Sequence, residues 1–303
     1  MTTTALTTTG TRADFQAIIA MVVDGLGSEH SRRGYARALG DFLSWWDDEG
    51  RPTLSKAVVQ RYTRHLQASG LGASTINMRL SAIRSMAREA ADNGLIDPHL
   101  AAGIGRVKGI KNGGTRSGNW LSKQEAQDLL EAPDTDTLKG LRDQAILAVL
   151  LSSGLRRAEL ADLTVDHICQ RDGRWVIVDI VGKGNKVRSV PIAPWAKVAI
   201  DRWLEATGIT EGLIFRSVYK GGRVNGKGMT SQTVYNVVRA YANGNLATHD
   251  LRRTFAKLAD KGGASLVQIQ KSLGHSSVKT TELYVGADQD FTDAPCDHLG
   301  LRL

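Results

Sequence analysis

The sequence predicts a mainly α protein with a small β-sheet, built as an N-terminal helical domain followed by a mixed α/β domain. Three observations carry that expectation. Apolar residues recur at i, i+3, i+4 and i+7 in successive windows of the first hundred residues, the period of amphipathic helices. Two Val- and Ile-rich runs, Trp175 to Ile180 and Lys186 to Ile192, flank a glycine turn and read as one hairpin. A basic, glycine-bearing stretch separates the two patterns, and 303 residues suit two domains.

Residues 1–11, rich in threonine, read as a disordered tail without the basic and apolar regions of a secretory signal. Phe15, Ile18, Ile19, Val22 and Val23 then give a first helix, and Tyr35, Leu39, Phe42, Leu43 and Trp46 a second. Val58, Val59, Tyr62 and Leu66 give a third. Gly70 to Ser74 turns into a fourth, carrying Ile76, Leu80, Ile83 and Ala87. The helical domain is expected over 12–105, a basic linker over 106–119, the second domain over 120–290 and a C-terminal tail over 291–303. In the second domain, Ser122 and Glu125 form a capping box for a helix through Leu130. Further helices are expected from Leu138 to Ser152, Lys197 to Thr207, Ser231 to Tyr241 behind Thr230, His249 to Asp260 and Leu266 to Leu273. Arg216 to Gly228 reads as a basic, glycine-rich loop.

Composition narrows the chemistry. The two cysteines, Cys169 and Cys296, show no metal-ligand or C-x-x-C spacing, which suggests a reducing compartment and no disulfide framework. No apolar run approaches a membrane span. The net charge of +8 points to an anionic partner. Between Gly50 and Arg88 there is no acidic residue, yet Arg51, Lys56, Arg61, Arg64, Arg79, Arg84 and Arg88 are present. A second acid-free stretch, Pro98 to Gln124, carries Arg106, Lys108 and Lys111. A charge run is usually a solvated face, but runs this long without carboxylates suit sustained phosphate contact. Candidate nucleic-acid contacts are therefore Arg61, Arg64, Thr75, Asn77, Arg79, Arg84, Arg88, Arg106, Lys108 and Lys111. In the second domain they are Lys186, Arg188, Lys220, Arg223, Lys227, Thr230 and Arg253.

An ordered set of reactive side chains runs through the second domain. Reading forward, it is Ser153-Gly154-Leu155-Arg156-Arg157-Ala158-Glu159-Leu160, then Gly182-Lys183-Gly184, His249-Asp250-Leu251-Arg252, Leu273-Gly274-His275 and Tyr284. Two arginines can hold the non-bridging oxygens of a phosphate, a lysine or histidine can deliver a proton, and a tyrosine can attack phosphorus. The set holds no metal ligands. Each member has an ordinary structural use: a surface Arg–Glu pair, a hairpin turn, a helix cap, a core histidine or tyrosine. The joint order carries the functional reading, because no structural demand requires all of them together.

On these residues the sequence resembles the tyrosine recombinase, or phage integrase, family, whose signature is R, K, H-x-x-R, H or W, and Y. Arg156 falls on the first arginine, Glu159 on the acidic buttress, Lys183 on the hairpin lysine, and His249 with Arg252 on the H-x-x-R pair. His275 falls on the second histidine, and Tyr284 follows it by nine positions (284 − 275). Ser153 stands where threonine is more usual, and Arg253 where many relatives carry histidine. The resemblance implies a SAM-like core-binding domain and a catalytic domain closing as a C-shaped clamp on DNA. It also implies strand cleavage through a 3′-phosphotyrosyl bond and a Holliday junction, with no cofactor and no metal. Tyr284 would be the nucleophile, Arg156 and Arg252 the phosphate holders, Lys183 the general acid, His249 an acid/base partner, His275 a transition-state donor and Glu159 an orienting group.

The implied partners are double-stranded DNA with paired inverted-repeat half-sites and three further copies of the chain in a tetramer, with no membrane. The implied place is the cytoplasm, at the nucleoid. With the helical domain beginning near residue 12, the layout resembles the Xer-like and Cre-like members rather than those with an added arm-binding domain. In relatives a tail like 291–303 packs on the next protomer. Two other readings remain at this level: strand relaxation of the type IB topoisomerase kind, and a catalytically silent DNA-binding protein.

Overall fold

The computed structural model describes residues 10–111, 119–182, 186–219 and 221–285. The expected tails at 1–9 and 291–303, the middle of the linker, and both Lys183 and Lys220 lie outside the described residues. The chain divides into two compact units, Met1–Thr115 and Arg116–Leu303. No described helix is long and apolar enough to cross a membrane.

The first unit contains α1 (Arg12–Asp24), α2 (Glu29–Asp48), α3 (Lys56–Ala68), α4 (Ala73–Asp92) and α5 (Pro98–Gly105). Thr11 caps α1 in a reciprocal box with Asp14, and the helix begins at Arg12. The apolar stripes foreseen from periodicity meet in one core around Phe15, Leu39, Phe42, Trp46, Tyr62, Leu80 and Ile83. Phe15 packs edge-on against Trp46 at 5.2 Å between ring centroids, and Phe42 against Tyr62 at 5.0 Å. Helix α5 was not foreseen. Its start is marked by Asp97, which accepts from the His99 amide, and by Pro98 in the first turn.

The chain after α5 is held to α4. The Asn77 side chain donates to the Ile110 carbonyl at 2.9 Å and accepts from the Ile110 amide at 2.8 Å. Arg84 donates to the Val107 carbonyl. The opening residues of the expected linker are therefore packed structure.

The second unit contains α6 (Lys123–Glu131), α7 (Leu138–Ser153), α8 (Arg157–Ala161), α9 (Pro194–Thr207), α10 (Ser231–Tyr241), α11 (Thr248–Lys261), α12 (Leu266–Leu273) and α13 (Val278–Val285). Strands β1 (Ile168–Arg171), β2 (Arg174–Val181) and β3 (Val187–Pro191) form an antiparallel meander in the order β1-β2-β3. Strands β4 (Arg216–Val218) and β5 (Val224–Gly228) pair with each other. The stretch expected as a loop from Arg216 to Gly228 is thus a short hairpin. Its strands of three and five residues are too brief, and β5 too glycine-rich, to show an alternating pattern.

Helix α7 is the axis of this core, with Ala145 to Leu151 all buried. It also buries a charge: Asp143 is fully inaccessible, accepting from Arg142 at 2.6 Å, from Lys139 at 2.9 Å and from the Tyr241 hydroxyl at 3.0 Å. That last bond ties the end of α10 to α7. A buried carboxylate persists only when its lone pairs are met in this way.

At its C-terminus α7 stops on Gly154 in the left-handed region, φ +62°, which turns the chain so that Leu155 enters the core and Arg156 opens α8. A β-carbon at 154 would lie 2.7 Å from Phe255 Cδ1 and 2.8 Å from Leu273 Cδ2. Gly154→Ala should therefore combine left-handed strain with overpacking and cost at least about 2 kcal/mol in chemical denaturation. A loss below about 0.5 kcal/mol would show that the turn tolerates a side chain.

Candidate active site

Glu159 sits in the first turn of α8, and its carboxylate is shared. One oxygen accepts from Arg156 Nη1 at 2.8 Å and Arg188 Nη1 at 2.9 Å. The other accepts from the Arg156 backbone amide at 2.8 Å and Arg188 Nη2 at 2.8 Å. Burial alone would raise this carboxyl, but the Arg188 hydrogen bonds, the Arg156 amide and both positive charges hold its pKa at about 2. Arg188 also donates Nε to the Ser272 carbonyl at 2.9 Å, which fixes β3 to the end of α12. Its stem passes where a β-carbon on Gly274 would approach within 2.9 Å, and a β-carbon on Gly182 would lie 3.3 Å from its Nη1. The glycines of two motif segments thus make room for one arginine.

Arg188 was expected among the DNA contacts. With its side chain about nine-tenths buried and its donors on Glu159 and Ser272, it is instead an internal fixture of the site. No sequence signal distinguishes it from the exposed Lys186 nearby, because its partners lie 29 and 84 positions away.

Arg252, on the first turns of α11, is 1% exposed. Its Nη1 donates to the Gly154 carbonyl at 2.5 Å and its Nη2 to the Leu273 carbonyl, so it joins the segment before Arg156 to the segment before His275. Its Nε has no partner among the described residues. Burial and then the Arg156 charge lower its pKa to about 10, which still leaves it cationic at neutral pH. The start of α11 is fixed by Asp250, which accepts from the Ala247 amide at 2.9 Å.

On the same face, the Tyr284 hydroxyl of α13 meets His249 Nε2 at 2.5 Å. The His275 ring packs edge-on to Tyr284 with centroids 4.7 Å apart, and its Nδ1 pairs with the buried Thr281 hydroxyl at 3.0 Å. The guanidinium of Arg253 lies 5.7 Å from the Tyr284 ring centroid and pairs with Asp250 at 3.4 Å. Desolvation, reinforced by Arg253 and Arg252, pulls His249 below its ordinary value. Burial, with Arg252 and Arg156, pulls His275 to about 4. Both imidazoles are neutral near pH 7, so His249 can accept the phenolic proton. Arg156, His249 and Arg252 line one cavity of about 390 Å³ with Tyr235 and Arg157. Of the seven expected catalytic residues, six converge here and Lys183 lies outside the described residues.

The expected DNA contacts fall into two groups. Arg79 pairs with Asp41 at 2.8 Å and donates to the Tyr62 hydroxyl, Asn77 and Arg84 hold residues 107–110, and Arg61 pairs with Glu49 at 3.4 Å. Thr230 caps α10. Arg64, Thr75, Arg106, Lys108, Lys111, Lys186, Arg223 and Lys227 are exposed, as are Arg61 and Thr230, and the exposed Arg88 donates to the Ser85 hydroxyl.

Comparison with known proteins gives a consistent result. Residues 119–290 match the Phage integrase family, and residues 22–94 match the Phage integrase N-terminal SAM-like domain. The chain is 31% identical over 267 residues to Tyrosine recombinase XerC of Pseudomonas fluorescens, covering 86% of each chain. It is 30% identical over 278 residues to XerC of Stutzerimonas stutzeri strain A1501, covering 89% of this chain and 90% of that one. Among solved structures, a lambda integrase dimer bound to a COC′ core site superposes with a TM-score of 0.69 at 16% identity, over 93% of this chain and 98% of that one. XerH bound to difH in a post-cleavage complex gives 0.66 at 18%, over 92% and 82%.

The shared carboxylate makes a pH prediction. Because the folded pKa of Glu159 lies below its unfolded value near 4.5, its contribution to stability is complete above that value and fades as pH falls toward about 2. The melting temperature of the parent should exceed that of Glu159→Gln at pH 6, and the gap should narrow on acidification. A gap independent of pH would contradict the ion-paired carboxylate.

Proposed function

The chain belongs to the phage integrase family and is a tyrosine recombinase, and we propose that it cuts and rejoins DNA at specific sites through a covalent phosphotyrosine. The observation that carries this reading is the 2.5 Å contact between the Tyr284 hydroxyl and a neutral His249, beside the cavity lined by Arg156 and Arg252.

In the proposed reaction, Arg156 and Arg252 hold the non-bridging oxygens of the scissile phosphate and offset the charge of the pentavalent state. The buried Arg252 Nε gains an acceptor in that step, and an unmet buried donor costs about 1–3 kcal/mol. The Tyr284 oxygen attacks phosphorus as His249 takes its proton. The bond to the 5′ oxygen breaks, and Lys183 protonates that leaving group. His275 donates to the transition state, and Glu159 with Arg188 positions Arg156. The product is a 3′-phosphotyrosyl bond and a free 5′-hydroxyl.

The linkage conserves the energy of the phosphodiester, so rejoining to a hydroxyl of another strand needs no ATP. The proposed substrate is a pair of duplex sites exchanged through a Holliday junction by four copies of the chain. The solved structures of XerH on difH and of lambda integrase on a core site, both protein–DNA complexes, support the choice of partner.

Tyr284→Phe removes the nucleophilic oxygen while leaving the ring that packs on His275. On a nicked suicide substrate the parent should accumulate a covalent protein–DNA adduct resolved by denaturing electrophoresis, and the variant should form none while still shifting the duplex in a native gel. An adduct in the variant would move the nucleophile to another residue.

A further inference from the structure

A threonine inside a helix commonly returns its hydroxyl hydrogen to a carbonyl one turn back. Thr63, Thr207 and Thr254 each do so, to the carbonyls of Val59, Trp203 and Asp250. Thr281 departs from this use. It is fully buried on α13, yet its hydroxyl meets His275 Nδ1 at 3.0 Å. Among the described residues, neither that hydroxyl nor the His275 ring has another hydrogen-bond partner.

The His275 backbone is held separately, by Gln270, whose carbonyl accepts the His275 amide at 3.2 Å and whose side chain donates to the His275 carbonyl at 3.0 Å. Those contacts leave the ring free to turn about its side-chain bonds. Thr281 fixes one ring nitrogen, and Tyr284, three positions further along α13 (284 − 281), takes the ring edge-on. The imidazole thus bridges one turn of the helix that carries the nucleophile.

The number of protons then decides the tautomer. Burial, with Arg252 and Arg156, holds His275 at about 4, so the ring carries a single proton at neutral pH. A proton on Nδ1 would go to Thr281 Oγ1, and the hydroxyl's own hydrogen would be buried without an acceptor. With the hydroxyl donating to Nδ1, both groups are satisfied and the ring proton sits on Nε2. That N–H has no partner among the described residues, which leaves it for a phosphate oxygen.

We propose that Thr281 is a positioning residue that holds His275 as the Nε2-protonated tautomer, and so makes it the hydrogen-bond donor that strand cleavage uses. The inference deepens the recombinase reading and rests on it. In the other tautomer the same ring would turn a bare lone pair toward an anionic oxygen, which repels it.

The test applies two readouts to Thr281→Val, which exchanges the hydroxyl for a methyl group, and to Thr281→Ser, which keeps it. Nitrogen NMR of the free protein with labelled histidines, the His275 signals being identified by their loss in His275→Gln, should show a protonated Nε2 and a bare Nδ1 in the parent and in Thr281→Ser. In Thr281→Val the proton should be shared between the two nitrogens. Single-turnover adduct formation on a nicked duplex at saturating DNA should fall about tenfold in Thr281→Val, the rate equivalent of one hydrogen bond, and stay within about threefold of the parent in Thr281→Ser. A parent with its proton on Nδ1 overturns the proposal, and that measurement holds even if Thr281→Val fails to fold. A slow Thr281→Val with an unchanged tautomer overturns it too, because the threonine then only packs, as does a Thr281→Val that reacts at the parent rate. A parent that forms no adduct overturns the recombinase reading instead, and the tautomers in the free proteins then decide by themselves whether Thr281 sets the ring.

Discussion

The site depends on one carboxylate held between two guanidinium groups. Glu159 alone opposite Arg156 would form a closed ion pair with little charge to offer a substrate. With Arg188 on its other side, the same carboxylate orients Arg156 through both its side chain and its amide, while the cluster keeps surplus positive charge. The third guanidinium of the site, that of Arg252, is bonded to the Gly154 and Leu273 carbonyls rather than to this carboxylate. The pairs are largely buried, so their attraction is weakly screened, but the desolvation cost is also high. Their use is geometric: removing one member strands the others in a low-dielectric setting, which pins the whole arrangement.

The same economy of partners explains how segments far apart in sequence reach one face. Arg252 takes the carbonyls of Gly154 and Leu273, and Arg188 takes that of Ser272. The ends of α7 and α12 are thereby fixed to α11 and β3 by side-chain donors, where a helix terminus leaves carbonyls in need of them. Glycine recurs at these junctions for a packing reason. Gly154 faces Phe255 and Leu273, and Gly274 faces the Arg188 stem. His249 on α11, His275 in the turn between α12 and α13, and Tyr284 on α13 are then carried by elements that this frame has already placed.

Much of this was legible in the sequence. Apolar periodicity located α1 to α4, the capping box at Ser122 located α6, and the ordered polar set located six of the converging side chains. Local signals failed where the element was short or the partner remote. Helix α5 has eight residues, two of them glycine, and the β4–β5 hairpin has too few residues to alternate. Arg79, Arg84, Asn77 and Arg188 looked like surface donors because their partners lie 17 to 84 positions away. An acid-free run shows where positive charge is abundant, but only tertiary structure shows which cations are already engaged.

The most direct test of this account is a double-mutant cycle between Glu159→Gln and Arg188→Ala, read as the single-turnover rate of adduct formation on a nicked duplex at saturating DNA. If both residues act through the placement of Arg156, the double variant should be about as slow as the slower single variant, giving a coupling energy on the order of 1 kcal/mol or more. Losses that multiply, with coupling near zero, would mean that Arg188 acts on DNA independently of Glu159, and the shared carboxylate would not be the organising element of the site.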